Sequence, residues 1–383
     1  QAARCAQGGA AARAARARID RAARELPRGR RATIFFLILC RVRVRARARS
    51  CSRAKPKVPH PVSSKPSSSS SAAPPPRIVV LGSLNMDIVL RVPHAPAAGE
   101  TLLGHSIAHI PGGKGANQAV SCAREGGRVG MIGCVGDDAH GQALREALDR
   151  DGIDTAALRT SSSEPTGTAL ILVEDGGQNR IVMIPGANAQ AEIDEAALRQ
   201  QLQGAAFLVT QFEIPIDQAA RAISVAHEAG CKVLLNPSPV QPIAEPLWPR
   251  IDTLVVNEIE AEALCGQAAD SPQEAALAGQ ALRAKGIARV VVTLGARGAV
   301  AIDADGARHH PAPKVQAVDT TAAGDTFLGA LAVALGEGQS FDEAVRLGIR
   351  AAALCIQHPG AQPSIPQRDA VLQSPMPPDW IAL

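Results

Sequence analysis

Apolar and polar positions fall into two textures along the 383-residue chain, and the change comes near residue 76. From there on, short apolar, β-branched runs recur: RIVVLGS (77–83), RVGMIGCV (128–135), AAFLVTQ (205–211), KVLLNPS (232–238), TLVVNE (253–258) and RVVVTLG (289–295). Runs of this length, several closed by Gly, Ser or Asn, predict strands buried on both faces. Between them lie stretches such as HGQALREALDRDG (140–152) and DQAARAISVAHEAG (217–230). In the second, apolar residues return every three or four positions until Gly230, which predicts an amphipathic helix and its stop. Strands alternating with helices predict an α/β fold, a three-layer α/β/α sandwich around a mostly parallel sheet. Two stretches break the rhythm. Residues 87–104 and 167–189 read as strand pairs, the second turning at Asp175-Gly176-Gly177, a hairpin signal. They predict a small second sheet, drawn from parts of 87–113 and 167–189, placed as a lid over a site.

The first 76 residues carry no such pattern. They are Ala/Arg-rich and then Ser/Pro-rich, with 18 Lys or Arg against two acids, Asp20 and Glu25. The remaining residues hold 22 basic and 34 acidic side chains, so a basic leader precedes an acidic body. A segment of this composition cannot bury a core and reads as disordered. Its one apolar island, ATIFFLILC (32–40), is far shorter than the roughly 20 residues that span a bilayer. Three readings stay open for it: an organellar transit peptide, a basic arm for phosphate-bearing partners, or a stretch without function. The eight cysteines are scattered without C-x-x-C spacing, which points to reduced thiols of a cytoplasmic protein rather than a disulfide framework or a zinc site.

Candidate chemistry gathers in three segments of the body. VDTTAAGDTFLGALAVALGEG (318–338) passes from a strand-like start through small residues into a strongly apolar helix. Ala322, Ala323 and Gly324 would open that helix, where unpaired backbone N–H groups form an anion hole. Asp325 stands beside the hole as a candidate base for phosphoryl transfer. The competing reading is that Asp319 and Asp325 merely cap the helix. GSLNMD (82–87) sets Asn85 and Asp87 at the C-terminal end of the first strand, where open α/β sheets bind ligands. PGGKGANQA (111–119) brings Gly113, Lys114 and Asn117 to a helix start without the spacing of a Walker loop; by itself it could be an ordinary flexible turn.

Taken together with VNEIEAE, TLGARG and GAQPSIP, these segments resemble the ribokinase family within the PfkB-type carbohydrate kinases. The resemblance runs from Arg77 to about Pro366, and the GGKGAN form is more similar to the ribose-directed branch than to fructose or nucleoside kinases. It implies an ATP-dependent sugar kinase in which Asn85, Asp87, Gly113, Lys114, Asn117 and Glu213 hold the sugar hydroxyls. It implies Asp325 as general base, with the backbone of Ala322, Ala323 and Gly324 cradling the transferring phosphate. Asn257 would contact the nucleotide phosphates and Glu260 would organise hydrated Mg²⁺; both also read as ordinary helix-capping groups. Thr293, Leu294, Gly295, Ala296, Arg297 and Gly298 would line the adenine side, with Arg350 standing near the base in place of an Asn or His. A potassium site is implied at Asp319, Thr321, Cys355, His358, Gly360 and Ser364, many of them acting through backbone oxygens. Homodimers are implied, with the early strand pairs serving as lid and interface.

Three departures stand out. Ala322 replaces the more usual Gly, the chain has no Tyr so adenine packing must be largely aliphatic, and His309 and His310 match no functional position and read as surface residues. Kinases for deoxyribose, fructose or a nucleoside remain alternatives on the same fold. A non-catalytic scaffold with a nucleic-acid-binding leader is the alternative from another class, and the acidic body argues against it.

Overall fold

Strand β1 (Arg77–Leu81) pairs in parallel on one side with β4 (Arg128–Gly136) and on the other with β8 (Ala205–Gln211). Its side chains alternate between two cores. Ile78 and Val80 join one hydrophobic cluster, Val79 and Leu81 the other, and all four are fully buried. At about 1.5–3 kcal/mol for each buried aliphatic side chain, such a strand is held from both faces. The computed structural model describes residues 74–383, so the disordered leader expected for residues 1–76 lies almost wholly outside the described residues. Pro76 is an exception: it is buried, and its carbonyl accepts from the N–H of Arg128, so the body starts slightly earlier than the texture suggests.

The main sheet has ten strands in the order β14-β13-β12-β11-β10-β9-β8-β1-β4-β5. Strands β9 (Lys232–Asn236), β10 (Thr253–Asn257), β11 (Arg289–Thr293) and β5 (Leu158–Ser161) extend the parallel run, while β12 (Ala299–Asp303), β13 (Gly306–His310) and β14 (Ile381–Ala382) finish one edge antiparallel. Helices cover both faces. On one lie α1 (Lys114–Arg124), α2 (Ala139–Arg150), α7 (Ala323–Gly336) and α8 (Phe341–Cys355), and on the other α3 (Glu195–Gln201), α4 (Ile216–Glu228), α5 (Glu258–Cys265) and α6 (Pro272–Arg283). A short α9 (Arg368–Gln373) follows α8. The predicted sandwich and both predicted helices are present. Where predicted strands ran a residue or two long, as at Gly82-Ser83, the polar ends have become loops that face the site. None of the helices among the described residues is long and apolar enough to cross a membrane.

Helix α7 is apolar all round and buried from Asp325 to Ala334, which fixes it in the middle of its layer. Gly329 allows α1 to lie directly against it, since a Cβ there would stand 2.3 Å from the Ser121 hydroxyl. That close approach carries the first turn of α1 over the first turn of α7.

The second, smaller sheet has four strands in the order β3-β2-β6-β7. It comprises β2 (Asn85–Val92), β3 (Ser106–Gly112), β6 (Gly167–Glu174) and β7 (Asn179–Ile184), with the 175–177 turn where expected. The pairing predicted inside 87–104 needs correction. The partner of β2 begins only at Ser106, because Pro93 and Pro96 cannot donate to a ladder and the chain loops out between them and His105. The surface reading of His310 also fails. It is 1 % exposed on β13, with Nε2 2.9 Å from Asp342 Oδ1, and burial is the main influence holding its imidazole below the usual range.

Candidate active site

Helix α7 opens on Ala322, which takes φ 59°, the only positive φ at a non-glycine among the described residues. No side chain caps this end and Gly324 is exposed there, while the Ala323 N–H turns back to the Thr320 carbonyl at 3.3 Å; the helix N-terminus is thus open beside Gly324, as an anion site requires. Asp325 does not act as a cap. It is 6 % exposed and its carboxylate turns toward α1, accepting from Asn117 Nδ2 at 3.1 Å and from Gln118 Nε2 at 2.9 Å. The left-handed backbone explains why glycine suits position 322, since an L side chain there costs about 1–2 kcal/mol. Ala322→Gly is therefore expected to raise stability by up to about 1 kcal/mol, part of the relief being offset by the freer unfolded chain. Urea denaturation checks this; a destabilised variant would contradict the strain assignment.

Opposite the helix end, residues of β2, α1 and the β8–α4 loop converge. Asn85 Oδ1 accepts from Asn188 Nδ2 at 2.8 Å, and Asn188 also bonds both backbone groups of Leu84, so one buried amide fixes the root of β2. Glu213 Oε2 accepts from Ser83 Oγ at 2.6 Å and from the Lys114 N–H at 3.2 Å. Asp87 is 8 % exposed and packs against Gly112, where a Cβ would lie 2.3 Å from its Oδ2. Burial, then the nearby charges of Glu213 and Asp325, push the Asp87 carboxyl up to about 7. Burial likewise raises Glu213, against the pull of Lys114. For Lys114 burial acts downward, but Asp325, Glu213 and Glu260 outweigh it and hold the ammonium above its usual range. One cation thus serves a group of carboxylates, and Asn117 leaves its Oδ1 buried without a partner. Such a mixture of donors and acceptors suits a polyol, whose hydroxyls do both.

The expected nucleotide side lies at the ends of β10 and β11. Asn257 and Glu260 form a capping box on α5, with Asn257 Oδ1 accepting from the Glu260 N–H at 2.8 Å and Glu260 Oε2 from the Asn257 N–H at 3.0 Å. The capping role is thus present, and the Glu260 carboxylate also helps to raise Lys114. Thr293 Oγ1 donates to the Val256 carbonyl at 3.3 Å, tying β11 to β10. Leu294 is buried, Gly295–Arg297 form a single 3-10 turn that includes Ala296, and Arg297 pairs with Glu258 at 3.0 Å just before Gly298. Arg350 departs from expectation. It is 8 % exposed, and its guanidinium donates to the Ser374 carbonyl at 2.8 Å and hydroxyl at 3.2 Å, so it is committed to the C-terminal segment rather than to a base.

The residues expected at a potassium site do come together. Asp319 Oδ1 accepts from the Thr321 N–H and hydroxyl at 2.9 and 2.6 Å, and Oδ2 from the Gly360 N–H at 2.9 Å. Burial alone would raise its carboxyl; donation from Thr321 and Gly360 outweighs this and holds it below the usual carboxylate range. Cys355 Sγ lies 3.0 Å from Ser364 Oγ and 3.7 Å from the Thr321 carbonyl, while His358 is exposed at the loop rim. Both oxygens of this carboxylate are taken by protein donors, so a hard cation here would rely chiefly on backbone oxygens such as that of Thr321. Among the described residues no cluster of three or more His, Cys, Asp or Glu side chains could hold a metal ion.

Gln118, Gln211, Asn188 and Ser83 carry much of this geometry and had not been singled out from sequence. Gln118 directly follows Asn117 on the same helix turn, and that adjacency was the one available signal.

The sequence model of the pfkB family carbohydrate kinases matches residues 75–368. A ribokinase of Haemophilus influenzae is 42% identical over 299 residues, spanning 77% of this chain and 97% of that protein. A ribokinase of Schizosaccharomyces pombe is 39% identical over 303 residues, spanning 76% and 94%. The Arabidopsis thaliana ribokinase solved with ribose and ATP superposes with a TM-score of 0.74 at 35% identity, covering 79% of this chain and 98% of that one.

Proposed function

The chain belongs to the pfkB family of carbohydrate kinases, and we propose that it transfers the γ-phosphoryl group of ATP to the 5-hydroxyl of D-ribose. The observation that carries this reading is the buried Asp325 carboxylate, held by two amides beside the open N-terminus of α7 and facing the polyol-suited group of Asn85, Asp87, Lys114 and Glu213. Asp325 takes the proton of the 5-hydroxyl as the oxygen attacks phosphorus. The N–H groups at Ala322, Ala323 and Gly324 receive the charge that builds on the phosphoryl oxygens. Asn85, Asp87, Gly113, Asn117 and Glu213 orient the remaining hydroxyls, while Lys114 keeps the anionic site from repelling a second anion. Asn257 and Glu260 would hold hydrated Mg²⁺ against the nucleotide phosphates, and the ion supplies charge neutralisation there. Residues 293–298 line the nucleotide side, without Arg350. The kinase domain is assigned to residues 75–383, with parts of 87–113 and 167–189 as its lid.

The test is a coupled ADP-release assay across ribose, 2-deoxyribose, fructose and adenosine. Ribose should give the highest kcat/KM; a clear preference for another acceptor overturns the substrate assignment. In the same assay, replacing K⁺ by Na⁺ should lower turnover severalfold, since Asp319, Thr321, Cys355, His358, Gly360 and Ser364 would bind the larger ion and shape the anion hole. Equal rates in both salts would rule that site out. The lid supports a homodimer: Ile107, Val182 and Ile184 share the face of this sheet opposite Asp87, each 48 to 58 % exposed.

A further inference from the structure

Asp325 is held by two neighbours of different standing. Asn117 Nδ2 reaches Oδ2, but the Asn117 carbonyl oxygen is buried without a partner and is available to substrate. Gln118 has no such spare group. It is fully buried, its Nε2 donates to Asp325 Oδ1 at 2.9 Å, and its Oε1 accepts from Gln211 Nε2 at 2.7 Å. Gln211 is itself fully buried as the last residue of β8, held by packing, with its Oε1 beside Gly82 at the end of β1 and without a hydrogen-bond partner. A Cβ at Gly82 would lie 2.0 Å from that oxygen, so the bare glycine makes room for the amide. Two amides in series therefore run from the central strands of the sheet to the carboxylate.

The polarity of this chain follows from chemistry. An ionised carboxylate only accepts, so Gln118 must present its NH₂ to Asp325 and its oxygen to Gln211. Reversing Gln118 would set oxygen against carboxylate and NH₂ against NH₂. An amide is also the right donor for a base, because it neither neutralises the carboxylate as Lys or Arg would nor takes up the proton that Asp325 accepts.

We infer that Gln118, oriented by Gln211, is the positioning residue of the base: it fixes the rotation of the Asp325 carboxylate so that a free lone pair meets the acceptor hydroxyl. This rests on the kinase reading above. Both polar ends of the fully buried Gln118 are taken by protein groups, so its loss should appear in turnover and not in sugar affinity.

Gln118→Met keeps the length of the side chain and removes both polar ends. With ribose and ATP, kcat should fall about tenfold to a hundredfold while KM for ribose stays within about threefold. Gln211→Met, which leaves every group on Asp325 in place, should give the same split with a smaller loss, and it serves as the second route should Gln118→Met fail to fold. In an Asp325→Asn background, adding Gln118→Met should change the residual turnover by less than about twofold, because a positioning group has nothing left to position. The inference is overturned by near-wild-type kcat in either single variant, by a rise in KM at unchanged kcat, or by full multiplication of losses in the double variant. Wild-type turnover of ribose in parallel separates this from the substrate assignment: its absence sinks the latter, and the same variants are then read on whichever acceptor is used.

Discussion

Asp325→Asn should lower kcat for ribose by a factor on the order of 10³, the scale of a lost general base, while the dissociation constant for ribose changes by less than about threefold. Asn matches the size of Asp and can sit in the same place on α7. Its NH₂, however, cannot face two donors. Gln118 is fixed by Gln211 and will keep its NH₂ toward position 325, so the amide oxygen of the variant must point there. Asn117 is freer, because its Oδ1 has no protein partner, and it can rotate to accept from the new NH₂. The fold and the sugar contacts other than that of Asn117 are thereby retained, and the proton acceptor is lost. Calorimetric titration with ribose beside the ADP-release assay separates the two quantities. Turnover close to wild type would remove Asp325 from its role.

Asp87→Asn should move two properties in opposite directions. Ribose affinity should drop about tenfold to a hundredfold, the equivalent of one hydrogen bond to a charged group. Stability should rise at alkaline pH. The Asp87 carboxyl is raised from 3.8 to about 7 in the folded protein, so the folded state binds the proton more tightly than the unfolded chain. Its favourable contribution is complete below about pH 4 and is lost as pH rises toward and through about 7. Above that, the fold carries a buried charge beside Glu213 and Asp325 at a cost of a few kcal/mol. Asn carries no such cost. Urea midpoints from pH 5 to pH 8 should diverge in favour of the variant, with the gap closing on acidification. Parallel curves would show that Asp87 does not titrate as described. An active-site group that weakens the apo fold is what a site built to bind, rather than to stabilise, requires.

Much of this arrangement was legible in the chain. Apolar runs placed the strands to within one or two residues, because a strand buried on both faces can contain almost nothing else. The helix at Ala323–Gly336 and its open N-terminus followed from small residues preceding an apolar stretch. Asn257 and Glu260 carried the spacing of a capping box, and that box is present. What stayed hidden depends on residues far apart in sequence. Gln118 and Asp325 are 207 positions apart and Gln118 and Gln211 are 93, and nothing local tells a buried glutamine from a surface one. Asn188 fixes Leu84 and Asn85 from 103 or 104 positions away, in a segment without any motif. Ala322 gave no hint of its left-handed backbone, since Ala normally signals the opposite. His310 and Arg350 were misplaced because their partners, Asp342 and Ser374, come from elements that only folding brings alongside.

Strand β2 begins at Asn85 in the proposed sugar pocket and runs to Val92 in the small sheet, with Asp87 two residues in. The groups proposed to hold ribose and the sheet proposed to cover it are therefore one piece of backbone. Whatever steadies the outer, apolar side of that sheet must also strengthen the hold on sugar, and ribose must return the favour by the same factor. With a second copy of the chain as the steadying element, self-association and sugar affinity become linked equilibria. Enzyme concentration then enters the apparent KM for ribose by mass action, and dilution alone would shift it.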